Sequence, residues 1–291
     1  MIAELPLVGG GGEPVDFRRT LASHGVASLP PSYIDEETWT LEVTLSSGRG
    51  ARTIRVAEGR AGYARVEGAT NAALAQLRHM FRLDEDLSPF YTVASDDPQL
   101  AWAASGAGRM LRSPTVFEDV VKTICTTNCA WGGTVRMVTA LVEHLGVASP
   151  TGRRTFPRAA AMAEAGLDFY RDVARAGYRG AYLQTLAEDV ASGALDLERL
   201  NDPELPVEEV EERLLALPGV GPYAAAHVML TSLGRYSRLV LDSWTRPTYA
   251  KLAGRKASDK TIARKFRPYG DFAGLAFWLL LTRGWVPDET A

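Results

Sequence analysis

Three sets of residues in this sequence have the types and spacing to do chemistry. The first is Leu217-Pro218-Gly219-Val220-Gly221-Pro222, lying between two helical patterns. Its glycines let the backbone turn tightly and approach a partner closely, and Pro222 starts the next helix where a missing N–H is harmless. That leaves a helix N-terminus with free backbone amides, suited to a DNA phosphate without any positive side chain. The same six residues would also make a plain corner between two helices. The second is Asp242, 21 residues after Gly221, which follows the apolar Leu239-Val240-Leu241 and heads Ser243-Trp244-Thr245. A carboxylate in that position is an N-cap or a catalytic group, and it can be both. The third is a basic run at residues 246–267, where Arg246, Lys251, Arg255, Lys256, Lys260, Arg264, Lys265 and Arg267 face only Asp259. Taken alone it reads as a solvated helical face; beside the hairpin it becomes a face for phosphates.

Other chemistries are poorly served. Cys125 and Cys129 are the only cysteines among 291 residues, too few for a disulfide framework, a four-cysteine zinc site or a four-cysteine iron–sulfur cluster. Their spacing fits neighbours on one helical face. The net charge of −3, from 32 Lys+Arg against 35 Asp+Glu, does not by itself mark a nucleic-acid binder, so local distribution carries that argument.

The elements that must position these residues are mostly helical. A composition of 46% hydrophobic and 23% charged residues is that of an ordinary globular protein and excludes collagen-like, coiled-coil and disordered chains. The length predicts about two domains at roughly 150 residues each. Residues 1–14 are rich in Gly and Pro and are expected to form a disordered tail. Residues 15–70 form a small β-rich domain: between 38 and 66, Trp39, Leu41, Val43 and Leu45 fall on one face and Ile54 and Val56 on another, punctuated by turns as in an antiparallel meander. Residues 71–285 read as helical, with stripes such as Phe117, Val120, Val121, Ile124 and Val135, Val138, Leu141, Val142, Leu145. Later helices are expected at 178–192, 206–215, 222–233, 245–252, 258–268 and 271–283, with Ser113-Pro114 and Asp271 as helix starts. The longest uncharged apolar run, 272–282, is about half of the roughly 20 residues a bilayer span needs. The N-terminus lacks the basic start and apolar core of a signal peptide, and a cytoplasmic protein, nucleoid-associated in a bacterium, is expected.

The hairpin followed by Asp242 resembles the helix-hairpin-helix DNA glycosylase superfamily, which includes 8-oxoguanine glycosylase, bacterial 3-methyladenine glycosylase and endonuclease III. Phe81-Arg82-Leu83-Asp84, Leu111-Arg112-Ser113-Pro114, Ile124-Cys125-Thr126-Thr127-Asn128 and Gly177-Tyr178-Arg179 fall in the order and rough spacing of the 8-oxoguanine branch. The resemblance covers most of residues 15–285. It implies an α+β, mostly helical fold with two helical lobes and the active site between them. It further implies that Asp242 is the catalytic aspartate, that Asn128 probes the orphaned partner base, and that Tyr178 and Arg179 fill the gap left by a flipped nucleotide. Gly219, Val220 and Gly221 then hold the DNA backbone, with Lys251 from the basic run. The main-chain carbonyls of Leu215, Leu217 and Val220 match a monovalent cation site, for K⁺ or Na⁺, beside the hairpin. Asn128 as a helix-end residue and Tyr178 as a packing tyrosine are the plainer readings.

Departures from the pattern narrow the expected chemistry. Members that also cleave the strand have a lysine two residues after the second hairpin glycine; here Tyr223 stands there. A phenol cannot form an imine with the sugar, so no lyase step is expected. Tyr223 either stacks on an extruded base or packs in the core. His227 and Trp244 fall at pocket-lining positions and neither fits the 8-oxoguanine pattern. The absence of cluster cysteines removes the iron–sulfur branches. The sequence therefore reads as a monofunctional, monomeric base-excision repair glycosylase acting on double-stranded DNA with no required cofactor, and its aromatic candidates favour alkylated purines such as 3-methyladenine. Oxidised guanine or a bulky modified pyrimidine is the alternative substrate, and a non-catalytic DNA-binding protein the alternative class.

Overall fold

The computed structural model describes residues 1–48 and 50–287. The chain opens with strand β1 (Ile2–Pro6) and a short helix α1 (Phe17–Leu21), followed by β2 (Ser32–Asp35), β3 (Thr40–Ser47), β4 (Gly50–Glu58) and β5 (Tyr63–Glu67). They form one antiparallel sheet in the order β1-β5-β4-β3-β2. The expected meander is present, but two details differ. Register pairs Leu41 with Val56 and Val43 with Ile54, so the apolar residues of β3 and β4 share one face and not two. That face is buried against Leu77 and Phe81.

The expected disordered tail is the other correction. β1 pairs with β5 from Ile2 to Pro6, and the glycines after it are fixed by backbone hydrogen bonds, Gly9 to Glu13 at 2.9 Å and Gly10 to Glu85 at 2.8 Å. A Cβ on Gly10 would sit 2.6 Å from the Asp84 carbonyl oxygen. These glycines allow close backbone approach, which composition alone does not distinguish from flexibility. Glu13, at the end of the segment, forms a buried ion pair with Arg109.

Helices follow from residue 71: α2 (Asn71–Met80), α3 (Ser88–Ser95), α4 (Val116–Thr126), α5 (Trp131–Leu145), α6 (Ala159–Glu164), α7 (Gly166–Asp168), α8 (Arg179–Ser192), α9 (Val207–Leu215), α10 (Pro222–Thr231), α11 (Thr245–Leu252), α12 (Asp259–Phe266) and α13 (Ala273–Thr282). The late helices match expectation to within a few residues. Two starts move: Thr115, not Ser113, caps α4 by accepting from Glu118 N–H, and a 3₁₀ turn over 267–272 delays α13 past Asp271. Besides the sheet's core there are two apolar cores. One gathers α4, α5, α8 and α9; the other gathers α3, α12 and α13. α10 lies between them, giving Ala224, Ala225, Val228 and Met229 to the first and Ala226 and Leu230 to the second. The Phe81-Arg82-Leu83-Asp84 motif serves this packing: the buried Arg82 guanidinium donates to the carbonyls of Met110 (3.0 Å) and Thr231 (2.9 Å) and pairs with Glu85. Among the described residues no helix is long and apolar enough to cross a membrane.

Candidate active site

α9, a tight turn and α10 form the hairpin. Gly219 takes a left-handed φ of +80°, and a Cβ there would lie 2.7 Å from the Tyr182 ring, so both backbone and packing require glycine. Gly221 differs. Its φ is −101°, and a Cβ built on it meets open space. No side chain caps the α10 N-terminus, and Pro222 occupies its first turn. The bare end of a ten-residue helix therefore faces outward with its amides unspent.

At the far side, the turn after α10 brings Asp242 to the head of α11. Trp244 and Thr245 backbone N–H groups donate to its Oδ1 at 2.8 and 2.6 Å, and its own N–H donates to Thr245 Oγ1 at 2.8 Å. The reciprocal bonds fix the carboxylate and place it at the positive end of the helix. Both amides use Oδ1, so Oδ2 has no protein partner among the described residues. Asp242 is thus a helix cap whose second oxygen is free.

Asp242 belongs to the wall of a cavity of about 690 Å³. Tyr223, His227 and Trp244, separated in sequence, all line it, as does Asn128 from the end of α4. Tyr223 packs on both helical cores and its hydroxyl meets Thr126 Oγ1 at 3.1 Å. Burial pushes the phenol above its ordinary range, so it stays protonated. His227 is only 4% exposed, and burial, reinforced by the nearby His24, lowers its pKa to about 3. It is a neutral imidazole at any physiological pH. Trp131, Trp278 and Trp285 complete an aromatic enclosure, with Trp244 5.7 Å from Trp278 and 5.4 Å from Trp285 between ring centres. No spacing marked these three, because they come from α5, α13 and the turn after it. Cys129 also lines the cavity. It was expected beside Cys125 on one helical face, but α4 ends at Thr126 and Asn128 adopts a φ of +45°, which carries Cys129 off the helix.

The remaining expected residues are divided. Tyr178 is exposed and its hydroxyl accepts a 3.4 Å hydrogen bond from Asn128 Nδ2, so the two stand together at the cavity's edge. Arg179 departs from expectation. It is 7% exposed, and its guanidinium donates to the carbonyls of Thr127 and Asn128, holding the strained turn from behind and leaving no free head at the surface. Lys251 is exposed on the last turn of α11, outside the cavity lining. At the hairpin, the Leu217 carbonyl accepts from Val220 N–H at 3.2 Å, while the carbonyls of Leu215 and Val220 accept no turn or cap hydrogen bond among the described residues. Such oxygens fit a monovalent cation.

No protein-family profile matches the chain. A probable N-glycosylase/DNA lyase of Methanothermobacter thermautotrophicus is 24% identical over 222 residues, spanning 68% of this chain and 70% of that one. The 3-methyladenine DNA glycosylase of Archaeoglobus fulgidus superposes with a TM-score of 0.75 at 18% identity, over 98% of this chain and 100% of the other. The apo 8-oxoguanine glycosylase/lyase of Clostridium acetobutylicum gives 0.73 at 20% identity, over 97% and 98%. The fold is that of the helix-hairpin-helix DNA glycosylases. The two structural likenesses run nearly the whole length of the chain, sheet included, so the β-rich segment is part of that fold.

Proposed function

We propose that this protein is a monofunctional DNA glycosylase that extrudes a damaged base from duplex DNA, takes it into the cavity and hydrolyses its N-glycosidic bond. The observation that carries the reading is Asp242, a residue in the wall of an aromatic cavity, with Oδ1 locked by two amides and Oδ2 left without a protein partner among the described residues. Departure of the base leaves an oxocarbenium-like sugar; the free oxygen stabilises its charge and orients or deprotonates the attacking water. The hairpin amides of Gly219 and Gly221 and the exposed Lys251 hold backbone phosphates, the Val220 N–H being already spent on the Leu217 carbonyl, while Asn128 and Tyr178 enter the gap in the stack. A K⁺ or Na⁺ ion on the carbonyls of Leu215, Leu217 and Val220 would add positive charge at the hairpin.

Two relatives carry lyase in their names, yet the cavity lining among the described residues has no lysine. With Tyr223 in the position of the imine-forming lysine, strand cleavage is not expected. The π faces around Asp242 favour an electron-poor, alkylated purine such as 3-methyladenine. The fold's likeness to an 8-oxoguanine enzyme keeps oxidised guanine as the second reading. Duplexes each carrying one alkylated, oxidised, deaminated or bulky base, incubated with the protein and developed with and without hot alkali, test this. Breaks appearing only after alkali, and lost in Asp242→Asn, are the expected result. Breaks without alkali overturn the monofunctional reading, and tight binding with no excision of any base leaves a non-catalytic DNA-binding protein.

A further inference from the structure

The basic run at residues 246–267 contains one acid, and the fold gives that acid to one base. Arg246 Nε and Nη2 donate to Oδ1 and Oδ2 of Asp259, both at 2.8 Å, joining the first turn of α11 to the first residue of α12. None of the other seven basic side chains of the run forms a salt bridge among the described residues. Among those residues Arg246 is also the only one of the eight that lines the cavity. It is the one lining side chain with a positive charge, since burial keeps His227 neutral. It stands four residues after Asp242, whose carbonyl accepts from the Arg246 N–H at 3.3 Å.

Neither helix needs this pair. Asp259 already lies at the positive end of α12, whose cap is Ser258, whereas a guanidinium in the first turn of α11 lies against the dipole of its helix. Both side chains are exposed, and ion pairs in water contribute little to stability. What the geometry does provide is a two-pronged guanidinium at the mouth of the cavity, occupied by a carboxylate. The same fork matches two oxygens of a phosphate diester. A nucleotide whose base lies in the cavity, with its sugar at Asp242, carries its phosphates at the mouth, where Arg246 stands.

We propose that Arg246 grips a phosphate of the extruded nucleotide and that Asp259 occupies the grip until that phosphate displaces it. Undistorted DNA brings no phosphate to the cavity mouth and leaves the pair closed, so the contribution of the guanidinium is reserved for a nucleotide already turned outward. The inference rests on reading the cavity as the base pocket. It goes beyond that reading by naming the residue that holds the nucleotide's backbone and the one that restrains it.

Anisotropy titrations of the full chain test this with two duplexes, one undamaged and one carrying a single tetrahydrofuran abasic site, a sugar with no glycosidic bond to cut. Arg246→Gln is expected to weaken binding of the abasic duplex by about tenfold. Asp259→Asn is expected to strengthen it by about threefold. In the double variant Arg246→Gln/Asp259→Asn the second change is expected to add nothing, and the undamaged duplex should respond far less to either. Removing a repulsive charge near DNA would help equally whether or not Arg246 is present. Equal gains in the two backgrounds, equal gains on the two duplexes, or no gain at all would therefore overturn the inference. Its failure separates from that of the proposed function. Base excision with independent effects of the two substitutions removes the grip and keeps the enzyme, whereas coupled effects without excision of any base do the reverse. No binding of either duplex removes both.

Discussion

In the proposed function Asp242 does two jobs that different substitutions can separate. Asparagine retains an Oδ1 acceptor for the amides of Trp244 and Thr245 but not the charge, whereas alanine loses both. Excision is expected to fall about 10²–10⁴-fold in both variants, as for removal of a positioned acid–base group. Thermal or urea melts should distinguish them, with Asp242→Ala less stable by about 1 kcal/mol and Asp242→Asn close to the parent. Equal stability of the two would mean that the cap contributes nothing. The hairpin glycines divide in a similar way. Gly219→Ala meets both a left-handed φ and the Tyr182 ring, and should cost about 1–2 kcal/mol. Gly221→Ala places its methyl in open space, so the fold should be unaffected while affinity for duplex DNA drops, because that space is where a phosphate would lie. Unchanged affinity in Gly221→Ala would remove the hairpin from the proposed DNA face.

At the scale of elements, α11 and α12 carry most of the basic run. Arg246 is already paired with Asp259 at 2.8 Å, whereas Lys251, Arg255, Lys256, Lys260, Arg264, Lys265 and Arg267 are all exposed. If this face holds phosphates, affinity should fall steeply from low to physiological salt, and Lys251→Ala or Arg255→Ala should each reduce the slope of log affinity against log salt by about 1. A slope unmoved by either change would return the run to a solvated surface. What was legible in the sequence follows from how local the signal is. The α9–α10 hairpin and Asp242 were readable because glycine, proline and a carboxylate at a helix start constrain their own neighbourhood. Tyr223, His227 and Trp244 were readable because they stand at short offsets from those markers. Trp278 was not, since within the uniformly buried α13 an indole looks like any other core residue. Arg179 was misjudged because an arginine beside an exposed tyrosine gives no local sign that its head is drawn inward by the carbonyls of a turn some fifty positions earlier. The glycines at 9–12 misled for the opposite reason, their partners being Glu85 and Arg109 in a distant part of the chain.

Across the whole molecule, buried histidines tie stability to pH. His24 and His227 have pKa values lowered from 6.5 to about 4 and about 3, in both cases first by burial, with neighbouring positive charge or imidazole adding to it. Their folded forms refuse a proton that the unfolded chain accepts, so the stability they contribute is complete above about pH 6.5 and is lost as pH falls towards 4. Each should take away about 1 kcal/mol per pH unit below that point. Urea midpoints measured between pH 7.5 and 5 are expected to drop, and more gently in His24→Gln; a flat profile would mean that the rings take up protons equally in the folded and unfolded chains. The position of α10 has a different consequence. A single buried helix that fills both helical cores acts as a rigid axle, so closing the lobes on a duplex by swinging one against the other would tear a shared core. If the protein acts on DNA as proposed, the bend needed to turn a nucleotide outward falls on the nucleic acid, and the speed of engagement should follow the pliancy of the base-pair step next to the lesion.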